Sequence, residues 1–244
     1  MAREFDGASY LMGSHTLGLT DYPFSVFAWF WASARPPYGN VIWSISSATS
    51  NSQAHYLWVF TNAVGAGTVN GGSSRLAQTA VGWSTSSWQS VCGVWRAGDQ
   101  GDVYVNGGNK VTATTNVSWP SLDRTAIGCL CRSTIGYHLA ARVALVAVWS
   151  ADLTDDEVAA LHDRYHPRLI KPTSLVACWD LGGFAGQNDR DYFGQYDLTA
   201  YNNPTWTDHL PVIHPCGPHV AVPPASFQAA WADGINSSIG FGVA

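Results

Sequence analysis

Leu139–Leu161 reads LAARVALVAVWSADLTDDEVAAL, and the way it folds decides the architecture around it. From Arg142 to Trp149 the stretch is rich in valine and carries little charge. Side chains alternate along a strand, so Val143, Leu145, Ala147 and Trp149 are expected on one face and Ala144, Val146 and Val148 on the other. A run apolar on both faces predicts a strand covered on both sides. Helix start signals follow at once. Thr154 stands three residues before Glu157, the spacing of a capping box, and Leu153 and Val158 are spaced as a hydrophobic staple. Asp155 and Asp156 fall in the first turn, where the helix dipole favours negative charge. Arg164 and Pro167 mark the far end, so a helix is expected over about 154–165. The acidic cluster thus reads as a cap and not as catalytic carboxylates.

Working outward, Pro23–Trp31 (PFSVFAWFW) predicts a second two-faced strand, with Phe24, Val26, Ala28 and Phe30 opposite Phe27, Trp29 and Trp31. Phe5–Met12 reads as one strand, and Val41–Ser46, Tyr56–Thr61 and Trp88–Arg96 as others. Asp102–Asn106 returns from a glycine turn and ends at Asn106-Gly107, a hairpin dipeptide. Val111–Val117 is expected as the next strand. Residues 62–87 are rich in Gly, Ser and Thr, and their register cannot be read. Ser174–Leu181 predicts a late returning strand, and Asp197–Ala200 a last short one. Six of the twelve prolines fall between Pro204 and Pro224, which suits an extended arm over 204–244 beyond a domain spanning 1–203.

Composition narrows the function. The 244 residues are 46% hydrophobic and 12% charged, about half the usual ~25% charged. Twelve Trp and ten Tyr suit interfaces or sugar sites. With only Lys110 and Lys171 as lysines and a net charge of −5, no basic patch exists for nucleic acid. The first residues, MAREFDGASYLMG, form no signal-peptide pattern and no window approaches a membrane span, which predicts synthesis in a cytosol without secretion. Cys92, Cys129, Cys131, Cys178 and Cys216 have no zinc-site spacing and read as buried thiols.

Several motifs in order resemble one family. Phe5-Asp6-Gly7-Ala8-Ser9-Tyr10 resembles the FDG-x-S-Y opening of laminin-G-like, concanavalin A-type jelly-roll domains. Pro23–Trp29 resembles their PFT-x-x-x-W strand. Trp88–Trp95 with Asp102–Gly107 resembles the hairpin ending in YVNG, and Ala126-Ile127-Gly128 the IG step after it. Ala141–Leu161 resembles the closing strand and helix, with Ala141 where Gly is common. The resemblance covers about residues 5–200. With the late strand and proline-rich end it extends to laminin-G-like proteins of tailed bacteriophages. It implies an all-β fold of two antiparallel sheets packed face to face, and members that bind sugars or proteins or, in a related branch, hydrolyse glucans.

Hydrolysis can be tested on the residues. Retaining glucanases need a carboxylate pair about 5–5.5 Å apart. The two glutamates, Glu4 and Glu157, lie in no such strand, so a non-enzymatic protein is expected, with no cofactor. Calcium is possible by family analogy, with Asp99, Asp102, Asp189 and Asp191 as oxygen ligands, although Asp in glycine-rich turns is common without metal. His162 and His166 have i, i+4 spacing but no evident third ligand. Trp29, Trp31, Trp43, Trp58, Trp95 and Tyr104 are candidate surface aromatics for a glycan or a subunit interface. Phe227, Trp231, Ile235, Ile239 and Phe241 are candidate contacts of the arm. The expected function is a virion structural protein decorating a phage capsid, homo-oligomeric and bound to other capsid proteins. The alternative is a carbohydrate-binding adhesin on the phage surface.

Overall fold

The computed structural model describes residues 2–181 and 189–211. In chain order the first strands are β1 (Ala2–Asp6), β2 (Tyr10–Gly13), β3 (Phe24–Trp31), β4 (Asn40–Ser46), β5 (Gln53–Val59), β6 (Val64–Asn70) and β7 (Ser73–Gln78). There follow β8 (Trp88–Ala97), β9 (Gln100–Val105), β10 (Gly108–Ala113), β11 (Arg124–Ile127), β12 (Leu130–Cys131), β13 (Ile135–Gly136) and β14 (Ala140–Trp149). Helix α1 (Asp155–His162) and two 3-10 turns (Pro167–Leu169, Pro172–Ser174) lead to β15 (Leu175–Asp180), β16 (Thr199–Tyr201) and β17 (Thr205–Thr207).

Two antiparallel sheets make a sandwich. One has the order β10-β9-β8-β3-β14-β1-β17, with β15 also paired to β14, and the other the order β16-β2-β11-β4-β5-β6-β7. Phe24, Val26, Ala28 and Phe30 of β3 face inward onto Ile42, Trp43, Ile45 and Leu57 of the opposite sheet. Phe27 and Trp29 face outward and are buried with Val158 and Leu161 of α1 and with Leu153 and Leu175. The outer face of the first sheet is therefore closed by the helix and the turns after it, which answers the two-faced pattern of β3 and β14.

Within β14 the simple alternation fails. Val143, Val146 and Val148 point into the sandwich, while Ala144, Leu145, Ala147 and Trp149 point toward α1. The register against β3 shifts between Val143 and Leu145. A bulge places two residues opposite one and resets which face each later side chain takes. The capping box forms as expected: the Glu157 amide donates to Thr154 Oγ1 at 3.2 Å, and the Thr154 amide donates to Glu157 Oε2 at 2.8 Å. The helix is shorter than 154–165. It ends at His162, because Arg164 takes a left-handed φ of 72°.

Three other expectations change. Phe5–Met12 is two strands split at Gly7, whose φ is +88°. Residues 62–87 contain the β6–β7 hairpin, turned at Gly71 and Gly72. Thr205–Thr207 pairs with β1, so the sheet continues past residue 203. Leu210 then packs on the outer face of the first sheet, and the domain boundary lies later than expected. The arm contacts Phe227, Trp231, Ile235, Ile239 and Phe241 lie outside the described residues.

The corner at Gly7 carries a pH prediction. Asp6 Oδ1 accepts the amides of Ser9 (2.8 Å) and Ala8 (3.0 Å). The hydrogen bonds from Ser9 and Ala8 lower its carboxyl from 3.8 to about 2. A depressed folded pKa gives stability that is present above the unfolded value and is lost as pH falls through the folded one. A carbon-detected titration of Asp6 should therefore show a midpoint near 2, and Asp6→Asn should flatten the acid limb of stability between pH 4 and 2. A midpoint near 3.8 contradicts this.

Candidate functional site

A cleft of about 600 Å³ opens at one end of β4–β7. Three connections build it. The β3–β4 loop contributes Pro37, Tyr38 and Gly39, the β5–β6 turn Phe60–Ala63, and the end of β7 Gln78, Thr79 and Ala80. The β5–β6 turn is closed by the Phe60 amide donating to the Ala63 carbonyl at 2.8 Å. Behind it Trp83 is buried, and its indole N–H donates to the Phe60 carbonyl at 2.9 Å. Arg35 ties the loops together by donating to Asn62 Oδ1 and, at 3.0 Å, to the Trp83 carbonyl. Thr61 Oγ1 donates to the Pro36 carbonyl at 2.8 Å.

The lining is aromatic and polar but uncharged. Tyr38 is 81% exposed, an unusual state for so large a ring. Phe60 stacks on Trp58 with centroids 5.2 Å apart and planes 8° from parallel. Gly39 is required here. A Cβ on it would lie 1.6 Å from Trp58 Nε1, so any side chain would displace the indole from beneath the cleft. Asn62 and Gln78 add exposed carboxamides to the lining. Rings beside amides and hydroxyls can hold a molecule that has both apolar faces and hydroxyl edges.

The six aromatic candidates divide by burial. Trp43 and Trp95 sit in the core between the sheets, and Trp29 and Tyr104 under or beside α1. None of the four is a surface group, because the opposite sheet or the helix covers the face that strand alternation alone could not assign. Trp58 and Trp31 are half-exposed. Trp58 supports the cleft. Trp31 borders a smaller groove of about 210 Å³ beside Glu4 and Arg142, and the Arg142 guanidinium lies 4.3 Å above its ring.

The four aspartates do not form one calcium site. Asp102 is buried on β9, where Arg96 Nε donates to it at 2.7 Å and Thr112 Oγ1 at 2.6 Å, with Lys110 Nζ at 3.6 Å. Two cations beside it oppose a third. Lys110 also reaches Asp155, which accepts from the Tyr104 hydroxyl at 2.6 Å. Burial and that bond push the Tyr104 phenol up to about 12. Asp99 is in the turn between β8 and β9. Asp189 pairs instead with Arg3 of β1 at 2.8 Å, and three strands separate β9 from β1. Asp191 accepts the Cys178 amide at 2.8 Å and so fixes a loop.

His162 and His166 also have separate surroundings. His162 Nδ1 is 3.0 Å from Ser90 Oγ, and its ring stacks on Trp29. Burial lowers its pKa. His166 lies within 4.8 Å of Cys178 and Asp180, a grouping the linear spacing did not reveal. Its Nδ1 accepts the Arg168 amide at 3.2 Å, which puts the proton on Nε2, facing Asp180 Oδ2 at 3.2 Å. A metal on Nε2 needs the opposite tautomer, and burial pushes the Cys178 thiol well up, so the trio fits a structural pair beside a buried thiol. Cys92, Cys129, Cys131 and Cys178 are free and buried, as expected, and Cys216 lies outside the described residues.

Two face-to-face antiparallel sheets with a cleft at their rim define a jelly-roll sandwich of the lectin type. The chain belongs to the concanavalin A-like lectin/glucanases superfamily, whose laminin G model matches residues 5–159. No curated protein matches the sequence. Among solved structures, a putative carbohydrate binding protein from Bacteroides ovatus aligns with a TM-score of 0.61 at 17% identity, over 87% of this chain and 61% of that one. The native heptameric SAP-like pentraxin of Limulus polyphemus aligns at 0.53 and 21%, over 66% and 81%. The CBM40 of the Ruminococcus gnavus IT-sialidase, bound to α2,3 sialyllactose, aligns at 0.51 and 16%, over 66% and 98%. The chain spans only 28% of the NanB sialidase of Streptococcus pneumoniae, which it also matches. At these identities the likeness is one of fold.

Proposed function

We propose that this protein is a non-catalytic glycan-binding module that takes a neutral saccharide in the cleft at Tyr38, Phe60, Asn62 and Gln78. One observation carries the reading: an 81% exposed tyrosine beside Phe60, with uncharged amide and hydroxyl groups around both rings. Rings stack on the C–H faces of a sugar, and carboxamides bond its hydroxyls. No Asp, Glu, Lys or Arg lines the cleft, and the Arg35 guanidinium beside it is bonded to Asn62 Oδ1 and the Trp83 carbonyl, which favours a neutral sugar over a sialylated one. Binding and not hydrolysis follows from the glutamates. Glu157 caps α1, and Glu4 lies across the sheet beside Arg142.

Neutral and sialylated glycans on one array, followed by calorimetric titration, test the proposal. Tyr38→Ala should weaken binding about tenfold or more, the worth of one stacked ring of roughly 1.5 kcal/mol. An exposed residue leaves the fold intact, so the melting midpoint should not move. Saturable binding to sialylated glycans alone, or binding that survives Tyr38→Ala unchanged, refutes the assignment to this cleft.

The narrower expectation of a capsid-decorating phage protein rests on the apolar, proline-punctuated end of the chain. A glycan module on a virion surface is compatible with it. Binding of the full chain and of a chain ending at Pro211 to phage particles separates the two roles.

A further inference from the structure

The rings do not stop at the cleft. Phe60, which lines it, stacks on Trp58, and Trp58 meets Tyr137 with centroids 5.0 Å apart and planes 63° from parallel. Tyr137 directly follows the β12–β13 hairpin and is 46% exposed. Trp58 touches both rings, so an unbroken aromatic path leads from the cleft to a second open ring.

Tyr137 is fixed at that position. Its φ is 55°, in the left-handed region that bulky residues rarely adopt. Its carbonyl accepts the Val41 amide at 3.0 Å, and the next carbonyl, of His138, accepts from Asn40 Nδ2. Asn40 and Val41 come straight after Gly39 of the cleft lining, so the loop that carries Tyr137 is fastened to the strand leaving the cleft. On the hairpin side the Arg132 guanidinium lies 5.7 Å from the Tyr137 centroid and donates to the Asn51 carbonyl. Strained backbone of this kind persists where the surroundings over-determine it, and it gathers at ligand contacts. The size of the cleft points the same way. At about 600 Å³ it is large enough to enclose a drug-sized ligand, which is more than one sugar ring.

We propose that the site takes a linear neutral oligosaccharide of about three or more units and not a single terminal sugar, with Tyr137 as a second stacking platform beyond the cleft. The inference rests on the glycan reading of the cleft. The first units lie against Tyr38 and Phe60, and a later unit lies on Tyr137. A platform outside the cleft adds affinity only for a chain long enough to reach it.

Calorimetric titration of the full chain with linear gluco-, xylo- and manno-oligosaccharides of two and of six units provides the test. In a series that binds, the six-unit chain should bind about tenfold tighter than the two-unit chain, the worth of one further stacked ring. Tyr137→Ala should bring that ratio close to one, Tyr137→Phe should keep it, and Tyr38→Ala should weaken both lengths. If Tyr137→Ala does not fold, the ring signals of Tyr137 in the wild-type chain decide: they should shift on adding the six-unit chain and not the two-unit chain. Tyr38-dependent binding of equal strength at both lengths, or a ratio that survives Tyr137→Ala, overturns this inference and leaves the cleft reading standing. Absence of any Tyr38-dependent binding overturns both.

Discussion

Trp149→Ala is expected to lower the unfolding free energy by about 3–5 kcal/mol, the range for removing a large buried aromatic side chain. Trp149 is fully buried at the end of β14, in the cluster that joins the sheet to α1. Its indole N–H donates to the Ile170 carbonyl at 2.9 Å and so ties the turns after the helix to the sheet. Alanine removes the ring and leaves that carbonyl without its donor. Leu153, Val158 and Leu161 then border a cavity that a short capped helix cannot collapse to fill. Urea unfolding at neutral pH measures the loss, and the melting midpoint should fall by roughly 10 °C. A loss under 1 kcal/mol means that α1 is held by something other than this contact.

The second large effect belongs to Asp189→Ala, also at about 3–5 kcal/mol, the range for removing one partner of a buried ion pair. Arg3 Nε donates to Asp189 Oδ2 at 2.8 Å, with both residues buried, and Arg3 Nη1 donates to the Pro204 carbonyl at 2.9 Å. The guanidinium also lies 3.3 Å from the Trp206 ring centroid. One arginine therefore gathers β1, the loop after β15 and β17. Without the carboxylate the guanidinium loses its buried ion pair there. The neighbouring Glu4–Arg142 pair gives the control. At 3.5 Å and partly exposed, it should cost less than about 1 kcal/mol when Glu4 becomes Ala. Equal effects at the two sites contradict the argument.

These contacts show where sequence reasoning stops. The Arg3–Asp189 pair joins residues 186 positions apart, and the same aspartate read in isolation suggested a calcium ligand. A carboxylate in a glycine-bearing loop has the same local pattern whether its partner is a metal ion or a guanidinium from the first strand. Trp43 and Trp95 likewise carry no local mark that distinguishes a core ring from a binding ring, because both faces of their strands are apolar. The cleft was missed for a related reason. Tyr38, Phe60, Asn62 and Gln78 come from three separate connections, and two of these border the glycine- and serine-rich region whose register could not be read. An aromatic between Pro37 and Gly39 was the one available signal.

What the sequence determined by itself is local and periodic. The alternation in β3 and the apolar run of β14 demanded two covered faces, and Thr154 with Glu157 started a helix at one place, because alternation and capping act over a few residues. Tertiary structure decided the rest. The bulge in β14 chose which valines enter the core, α1 chose which aromatics are surface groups, and three loop ends meeting in space made the cleft. Such choices depend on which distant surface arrives opposite a side chain, and burial, pairing and charge all follow from that arrival.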